Sequence, residues 1–340
     1  FKLLCYLYQF FIKIDMYKLS IINIKKMGIK YLNYYLQQNC KQGIKKINLF
    51  ELSHKKIVVD TSIYMYRFMG ENALLENFYL MISIFRKYDI IPLFIFDGKP
   101  PKEKEDLLIQ RKMDKKIAEE KYLQLAKKYE NEISENEKEK IQEHMEKLKK
   151  EFIRITYKDI ENVKFLMQSY GVSYMEASGE ADKLCAKLVL KKKVYACLSE
   201  DMDMFVYGSN RVLRYLSLLK NNVILYDLSI ILKELQTTFQ EFQNICILSG
   251  TDYNLDNKFN VIQLFKYFKK FKQEKGENFY EWMKDKHDIN DCKLNEISNL
   301  FNIDIKNDNS ENNKIKILNG PIHYLNLENI MKKENFIFVS

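Results

Sequence analysis

The chain has 340 residues, with 55 Lys or Arg against 46 Asp or Glu, for a net charge of +9 at neutral pH. That length holds one large domain or two ordinary ones, and 46% hydrophobic residues can bury a core, which excludes a wholly disordered chain. Ten Gly and four Pro exclude a collagen-like chain or a long proline-rich linker.

Residues 1–26 are apolar and aromatic but interrupted by Lys2, Lys13, Asp15, Lys18, Lys25 and Lys26, so no stretch is long enough to span a bilayer. They are expected to be a leader, either an untranslated extension ahead of Met27 or a loosely packed appendage, and no membrane contact is expected. Ile57-Val58-Val59-Asp60 is a short β-branched run ending on a carboxylate, and residues 90–97 (IIPLFIFD) repeat the device. Val194 to Leu198 leads into Ser199-Glu200-Asp201 in the same way. Helical stretches at 74–88 and 180–191 separate these runs, the pattern of buried parallel strands in an α/β domain. Ligands of open parallel sheets bind beyond the carboxyl ends of the strands, so acids at three such ends are informative.

Between 102 and 158 there are 16 basic and 14 acidic residues and neither Gly nor Pro. Ile117, Tyr122, Leu125, Tyr129 and Ile133 follow helical spacing, as do Ile141, Met145, Leu148, Phe152 and Ile155. The polar stretch 131–139 divides them, predicting a long helical hairpin: a solvated, charge-paired excursion or a gateway for a charged polymer. Strands are expected at 212–216 and 223–226, and a helix at 238–248 with Gly250 placed to end it. Residues 261–272 form a basic amphipathic stretch, and 302–313 (NIDIKNDNSENN) read as a loop. Six scattered cysteines (Cys5, Cys40, Cys185, Cys197, Cys246 and Cys292) with no CxxC pair argue against a disulfide scaffold or zinc ribbon and fit a reducing compartment.

Seven carboxylates mark the candidate chemistry: Asp60, Asp97, Glu180, Asp182, Asp201, Asp203 and Asp252. Taken singly, each reads more readily as a cap or turn residue, and Ser178 offers an N-cap for the helix that follows. Together at one sheet edge they repel: a pair about 4 Å apart costs roughly 4 kcal/mol at an effective dielectric of 20. A cation must offset that repulsion, or the pKa values must rise. With oxygen ligands and no histidine near these positions, Mg²⁺ is the natural ion, with Mn²⁺ as an alternative. Two such ions can hydrolyse a phosphodiester without a side-chain nucleophile.

Met27-Gly28-Ile29, Val59-Asp60, Phe96-Asp97-Gly98-Lys99-Pro100-Pro101, Gly179-Glu180-Ala181-Asp182, Glu200-Asp201-Met202-Asp203-Met204 and Gly250-Thr251-Asp252-Tyr253 occur in this order. In order and approximate spacing they resemble the flap endonuclease family, the XPG-type structure-specific 5′ nucleases, over about residues 27–253. The resemblance implies a PIN-like α/β nuclease core at 27–256 with a helical arch at 102–158, followed by a divergent helical region at 257–340. It implies that Asp60, Asp97, Glu180 and Asp182 are ligands of a first metal site or its supporting shell, and that Asp201, Asp203 and Asp252 form the group holding a second, for two Mg²⁺ ions. It further implies phosphate-contacting cations at Lys104 and Arg111, and substrate contacts at Gly28, Tyr66, Lys99 and Lys115. Alone, Lys104 and Arg111 would read as surface charges and Tyr66 as an amphipathic core aromatic.

Asp182 stands where the family usually has Glu, and the arch looks longer than in cellular members. Residues 254–260 (NLDNKFN) lack the family's glycine-rich duplex-gripping hairpin. Lys266, Lys269, Lys270 and Lys272 beside aromatics are a candidate substitute, with snorkelling lysines over a core as the alternative. The C-terminus lacks the family's sliding-clamp peptide. The expectation is therefore a monomeric, metal-dependent 5′ nuclease of replication or repair acting on branched or 5′-ended DNA. An exonuclease or RNA-degrading relative stays open, as does a non-catalytic nucleic-acid-binding module. Richness in Lys, Asn, Ile and Tyr suggests an AT-rich genome, viral or parasitic, placing the protein in a nucleus or, if viral, in host cytoplasm or a viral factory.

Overall fold

A computed structural model describes residues 28–130, 134–254, 258–274, 276–287, 291–304, 316–332, 334 and 336. The expected leader, most of the 302–313 loop and the extreme C-terminus lie outside the described residues. Helix α1 (Leu32–Asn39) and strand β1 (Ile44–Asn48) precede β2 (Lys56–Asp60), α2 (Thr61–Gly70), α3 (Leu74–Lys87) and β3 (Ile91–Phe96). The long helices α4 (Glu105–Tyr129) and α5 (Glu135–Glu151) follow, then α6 (Tyr157–Ser169), β4 (Ser173–Glu176), α7 (Ala181–Leu190), β5 (Ala196–Leu198) and the short α8 (Asp203–Val206). A hairpin of β6 (Arg211–Ser217) and β7 (Asn222–Asp227) leads to α9 (Leu228–Leu235), α10 (Phe239–Leu248), α11 (Val261–Gln273), α12 (Phe279–His287), α13 (Asp291–Phe301) and α14 (Tyr324–Lys332).

Among the described residues, seven strands form one sheet in the order β1-β7-β6-β5-β2-β3-β4. The stretch from β6 through β5, β2 and β3 to β4 is parallel; β7 and β1 add antiparallel strands at one edge. Side chains alternate across the sheet, as strand geometry requires. Val58, Leu93, Cys197 and Val212 point into a core with α1 and α7–α13, whereas Ile57, Val59, Phe94, Leu198 and Leu213 point into a second core with α2, α3, α6 and α14. Because both faces are covered, the parallel strands read as continuous apolar runs in the sequence. Cys40, Cys185, Cys197 and Cys246 are free and buried, as expected of small hydrophobes.

From β2 the chain builds outward to β3 and β4, then crosses back to build β5 and β6 on the other side. The order therefore reverses between β2 and β5, the position where open α/β sheets hold their ligands.

Helices α4 and α5 form the expected arch, with two corrections. The break is shorter than residues 131–139, since α5 begins at Glu135 behind Ser134. Leu107 and Ala118 of α4 and Ile141 and Leu148 of α5 are the buried residues of the two helices, while Ile117 is 48% exposed. A one-residue shift from Ile117 to Ala118 rotates a helix by about 100°, so the larger apolar residue ends on the solvent face. Tyr122 packs edge-on against Phe152, with ring centres 5.4 Å apart. Capping boxes at Thr156, Thr238 and Asn260 start α6, α10 and α11, and Gly250, at φ +99°, ends the turn after α10. Among the described residues no helix is long and apolar enough to cross a membrane.

Candidate active site

The acids gather at the carboxyl ends of the parallel strands. Asp60 is the last residue of β2, and Ser199, one residue beyond β5, donates its hydroxyl to Asp60 Oδ2 at 2.9 Å. The same hydroxyl oxygen accepts the Asp201 N–H at 3.1 Å, and Asp201 Oδ1 accepts the Asp203 N–H at 2.9 Å. One serine thus ties the β2 end to the loop that carries the second pair of acids. Asp60, Asp201, Asp203 and Asp252 are all buried, at 2–7% exposure.

Asp97 follows β3 and is exposed, in contrast to the four buried aspartates. Its Oδ1 accepts the Ala181 N–H at 2.8 Å, capping the first turn of α7 from a different strand. Ser178 is therefore not the cap that the sequence offered; the N-cap residue is Glu180, and its side chain turns elsewhere. Gly98 makes this arrangement fit. Its N–H donates to Gly179 O at 2.7 Å, and a Cβ there would lie 2.0 Å from Ala177 O.

Glu180 instead meets the arch. Its Oε1 lies 2.6 Å from Lys104 Nζ, and its Oε2 accepts the Tyr253 hydroxyl at 2.7 Å. Lys104 is only 6% exposed at the base of α4, stands 3.6 Å from Asp252 Oδ2 and lies 4.8 Å from the centre of the Tyr253 ring. Arg111, two turns up the helix, donates to the same Asp252 oxygen at 2.9 Å. The two cations are thus drawn in among the acids, and Lys104 bridges Glu180 of the expected first metal group to Asp252 of the expected second.

Tyr66 is 45% exposed on α2, with Lys115 Nζ 4.9 Å above its ring and also donating to Ile153 O at 2.9 Å. Burial and then the Asp97 carboxylate raise the Tyr66 hydroxyl pKa, while Arg111 opposes. Burial, together with Arg154 and Arg111, lowers the Lys115 ammonium pKa. Lys99 is exposed beside the Gly98 turn. Gly28, at φ +64°, backs onto the acids: a Cβ would lie 2.6 Å from Asp201 Oδ1 and 3.2 Å from Asp203 Oδ1.

The electrostatics follow from burial. Desolvation, then Asp97 and Asp201, push the Asp60 carboxyl up to about 7, against the Ser199 hydrogen bond. Asp182 is held well above the usual carboxylate range by desolvation and by Asp60, Asp201 and Asp97. Asp201 is raised by burial and Asp252; Asp203 is raised strongly by burial, Asp201 and Asp252. Burial alone would depress the Lys104 ammonium, but Glu180 and Asp252 outweigh it and hold the proton more tightly than in ordinary lysine.

These residues fit a hard divalent cation. All donors are carboxylate oxygens, and Asp203 Oδ1 is buried without a hydrogen-bond partner. Burial and mutual repulsion raise the pKa values of Asp60, Asp182, Asp201 and Asp203, a penalty on their charged forms that a bound cation would relieve. Among the described residues no three of them converge as a ready-made cation cage, and Lys104 and Arg111 supply the compensating charge.

Tyr253 and Ser199 were not singled out from sequence as site residues. Both adjoin motif acids, Asp252 and Glu200, and that adjacency was the available signal.

Comparison with known proteins identifies the family. The XPG N-terminal domain matches residues 27–118, and the XPG I-region matches 171–252. Flap endonuclease 1 of Entamoeba histolytica is 33% identical over 303 residues, covering 81% of this chain and 75% of that protein. A probable RAD2-like endonuclease of Invertebrate iridescent virus 6 is 30% identical over 288 residues, covering 69% of each. The catalytic core of Rad2 in complex with DNA substrate superposes with a TM-score of 0.62 at 21% identity, covering 90% of this chain and 95% of that one, a likeness of fold. On these matches, the chain belongs to the XPG-type flap endonuclease family.

Proposed function

We propose that this chain is a structure-specific 5′ nuclease that hydrolyses phosphodiester bonds in branched or 5′-ended DNA at the β2/β5 switch point. The observation that carries the reading is the assembly of seven acids with two inward-turned cations, Lys104 and Arg111, at the base of the arch. A protein that only bound phosphate would gain nothing from concentrating negative charge there.

Asp60, Asp97, Glu180 and Asp182 on one side, and Asp201, Asp203 and Asp252 on the other, would hold Mg²⁺ or Mn²⁺. Bound there, such ions would supply a water nucleophilic at neutral pH and positive charge beside the leaving oxygen. The chain's own groups do the remainder. Lys104 and Arg111 pair with carboxylates when no phosphate is near and are placed to stabilise the charge of a phosphodiester at the same mouth. Burial of Lys104 strengthens that contribution, because few waters screen it. Tyr253 keeps Glu180 oriented and Ser199 keeps Asp60 and Asp201 in register. Tyr66, with Lys115 over its ring, offers an exposed aromatic face beside the acids on which a base can stack. Gly28 leaves the space beside Asp201 and Asp203 clear. Lys99 lies on the exposed turn after Asp97, within the reach of a phosphate backbone. In overall reaction terms, a water oxygen bonds to phosphorus as the bridging P–O bond breaks, and the proton lost by the water is balanced by one taken up by the leaving oxygen, giving a phosphate monoester and a hydroxyl end.

The test is cleavage of end-labelled 5′-flap, nicked-duplex, single-stranded DNA and RNA substrates with Mg²⁺. Incision near the flap junction is expected. Preference for RNA would replace the substrate while keeping the site, and binding without cleavage of any substrate would point to a non-catalytic module.

A further inference from the structure

Arg214, in β6, is only 1% exposed and heads the fully buried side chains by volume among the described residues. Its Nη1 donates to Asn33 Oδ1 at 2.7 Å and to the Met202 sulfur at 2.8 Å, and its Nη2 donates to Glu200 O at 2.8 Å. Its Nε stands 3.7 Å from Glu200 Oε2. The other carboxylate oxygen of Glu200 accepts the Tyr215 N–H at 2.6 Å. Tyr215 lies at φ +56°, an uncommon left-handed conformation for a bulky residue, where the β6–β7 register shifts between Arg214 and Ser217. Asn33, from α1, accepts the Tyr226 hydroxyl at 2.8 Å and donates to the Tyr215 hydroxyl at 2.8 Å.

The guanidinium thus grips the residues on both sides of Asp201: the Glu200 carbonyl before it and the Met202 side chain after it. The segment that supplies Asn33 also supplies Gly28, which abuts Asp201 and Asp203. A buried ion pair is a poor device for stability alone, because apolar residues of similar volume serve as well or better. This one leaves Arg214 Nε and Glu200 Oε2 without hydrogen bonds and sits against a left-handed tyrosine. Such costs persist where surrounding structure must fix a geometry, and they cluster at functional sites.

We propose that Arg214 is a positioning residue: with Glu200 and Asn33 it fixes the 200–203 backbone so that Asp201 and Asp203 present their carboxylates to a divalent cation. This rests on the nuclease reading above.

The test measures Mn²⁺ binding to the full chain by paramagnetic resonance of the free ion, well below the unfolding temperature. Thermal unfolding and single-turnover cleavage are followed on the same samples. Arg214→Met should bind Mn²⁺ at least tenfold more weakly and Arg214→Lys should recover part of the loss, while KM for flap DNA stays within about twofold. Asn33→Leu, which leaves the Arg214–Glu200 pair in place, should weaken Mn²⁺ binding about threefold. The double variant Glu200→Met with Arg214→Met should regain thermal stability without regaining Mn²⁺ affinity. Arg214→Met with a lowered unfolding temperature and wild-type Mn²⁺ affinity would show a purely structural residue and overturn the proposal. So would joint recovery of stability and affinity in the double variant. If Arg214→Met does not fold, unchanged affinity in Asn33→Leu overturns it. Failure of the wild type itself to bind Mn²⁺ would overturn the site reading, and this proposal with it.

Discussion

Lys104→Met is the most revealing single change at this site. The ammonium it removes lies 2.6 Å from Glu180 Oε1 and 3.6 Å from Asp252 Oδ2, worth about 6 and about 5 kcal/mol of Coulomb attraction at an effective dielectric of 20. Desolvation of a 6% exposed ammonium offsets much of this, so the net cost is that of breaking a buried pair, about 3–5 kcal/mol. The metal-free variant should therefore melt well below the wild type. Mg²⁺ should raise its melting temperature by more than it raises the wild type's, because the ion then meets acids with one fewer competing cation. Cleavage should nevertheless fall about 10²–10³-fold, the usual loss when a preorganised charge at a reacting phosphate is removed. Differential scanning fluorimetry across a Mg²⁺ series, with single-turnover cleavage at saturating Mg²⁺, reads all three quantities. Unchanged metal-free stability and unchanged cleavage in Lys104→Met would refute the assignment of Lys104 as counter-ion and phosphate contact.

The metal-free protein should lose stability as pH rises from about 4 to about 7. Asp60, lifted from 3.8 to about 7, keeps its proton in the folded state after the unfolded chain has released it. The folded form therefore binds more protons across that window, and the rise corresponds to about 4 kcal/mol from Asp60 alone. Thermal melts with and without Mg²⁺ should diverge over the same interval; parallel curves would count against a charge-strained cluster. Gly28→Ala forces a methyl to within 2.6 Å of Asp201 Oδ1 at a left-handed φ, so about 1–2 kcal/mol of backbone cost plus displacement of the acid should abolish most cleavage. Retention of wild-type rate would show that the acid tolerates the shift. Tyr253→Phe removes the donor to Glu180 Oε2, costing about 1–2 kcal/mol and lowering kcat about tenfold, with KM for DNA little changed. A change in KM alone would assign Tyr253 to substrate binding.

The parallel strands were legible because burial on both faces writes Ile57-Val58-Val59 and Leu93 to Phe96 as unbroken apolar runs. The acids at their ends were legible because a strand end is a fixed place in such a fold. What was not legible depends on distance through space. Lys104 and Glu180 are 76 positions apart in the sequence and meet only because the arch returns its base to the start of α7. Asp97 serves as the cap of α7, a role no local pattern announces, because a cap is ordinarily sought within the same segment as its helix. Arg214 reads as one more surface charge on a strand until the β6–β7 irregularity and Asn33 enclose it. In the arch, helical spacing identified α4 but not its buried face, since Ile117 and Ala118 differ by one residue and the smaller one is buried.

The most direct test of the account is incision of a labelled 5′-flap DNA at saturating Mg²⁺ by the wild type and by Asp201→Asn. The amide retains the Asp203 N–H contact but removes one charge from a repelling, buried group. The account predicts a metal-free variant at least as stable as the wild type, with cleavage reduced at least a hundredfold, about 2.7 kcal/mol of barrier. Equal cleavage by the two proteins would contradict it.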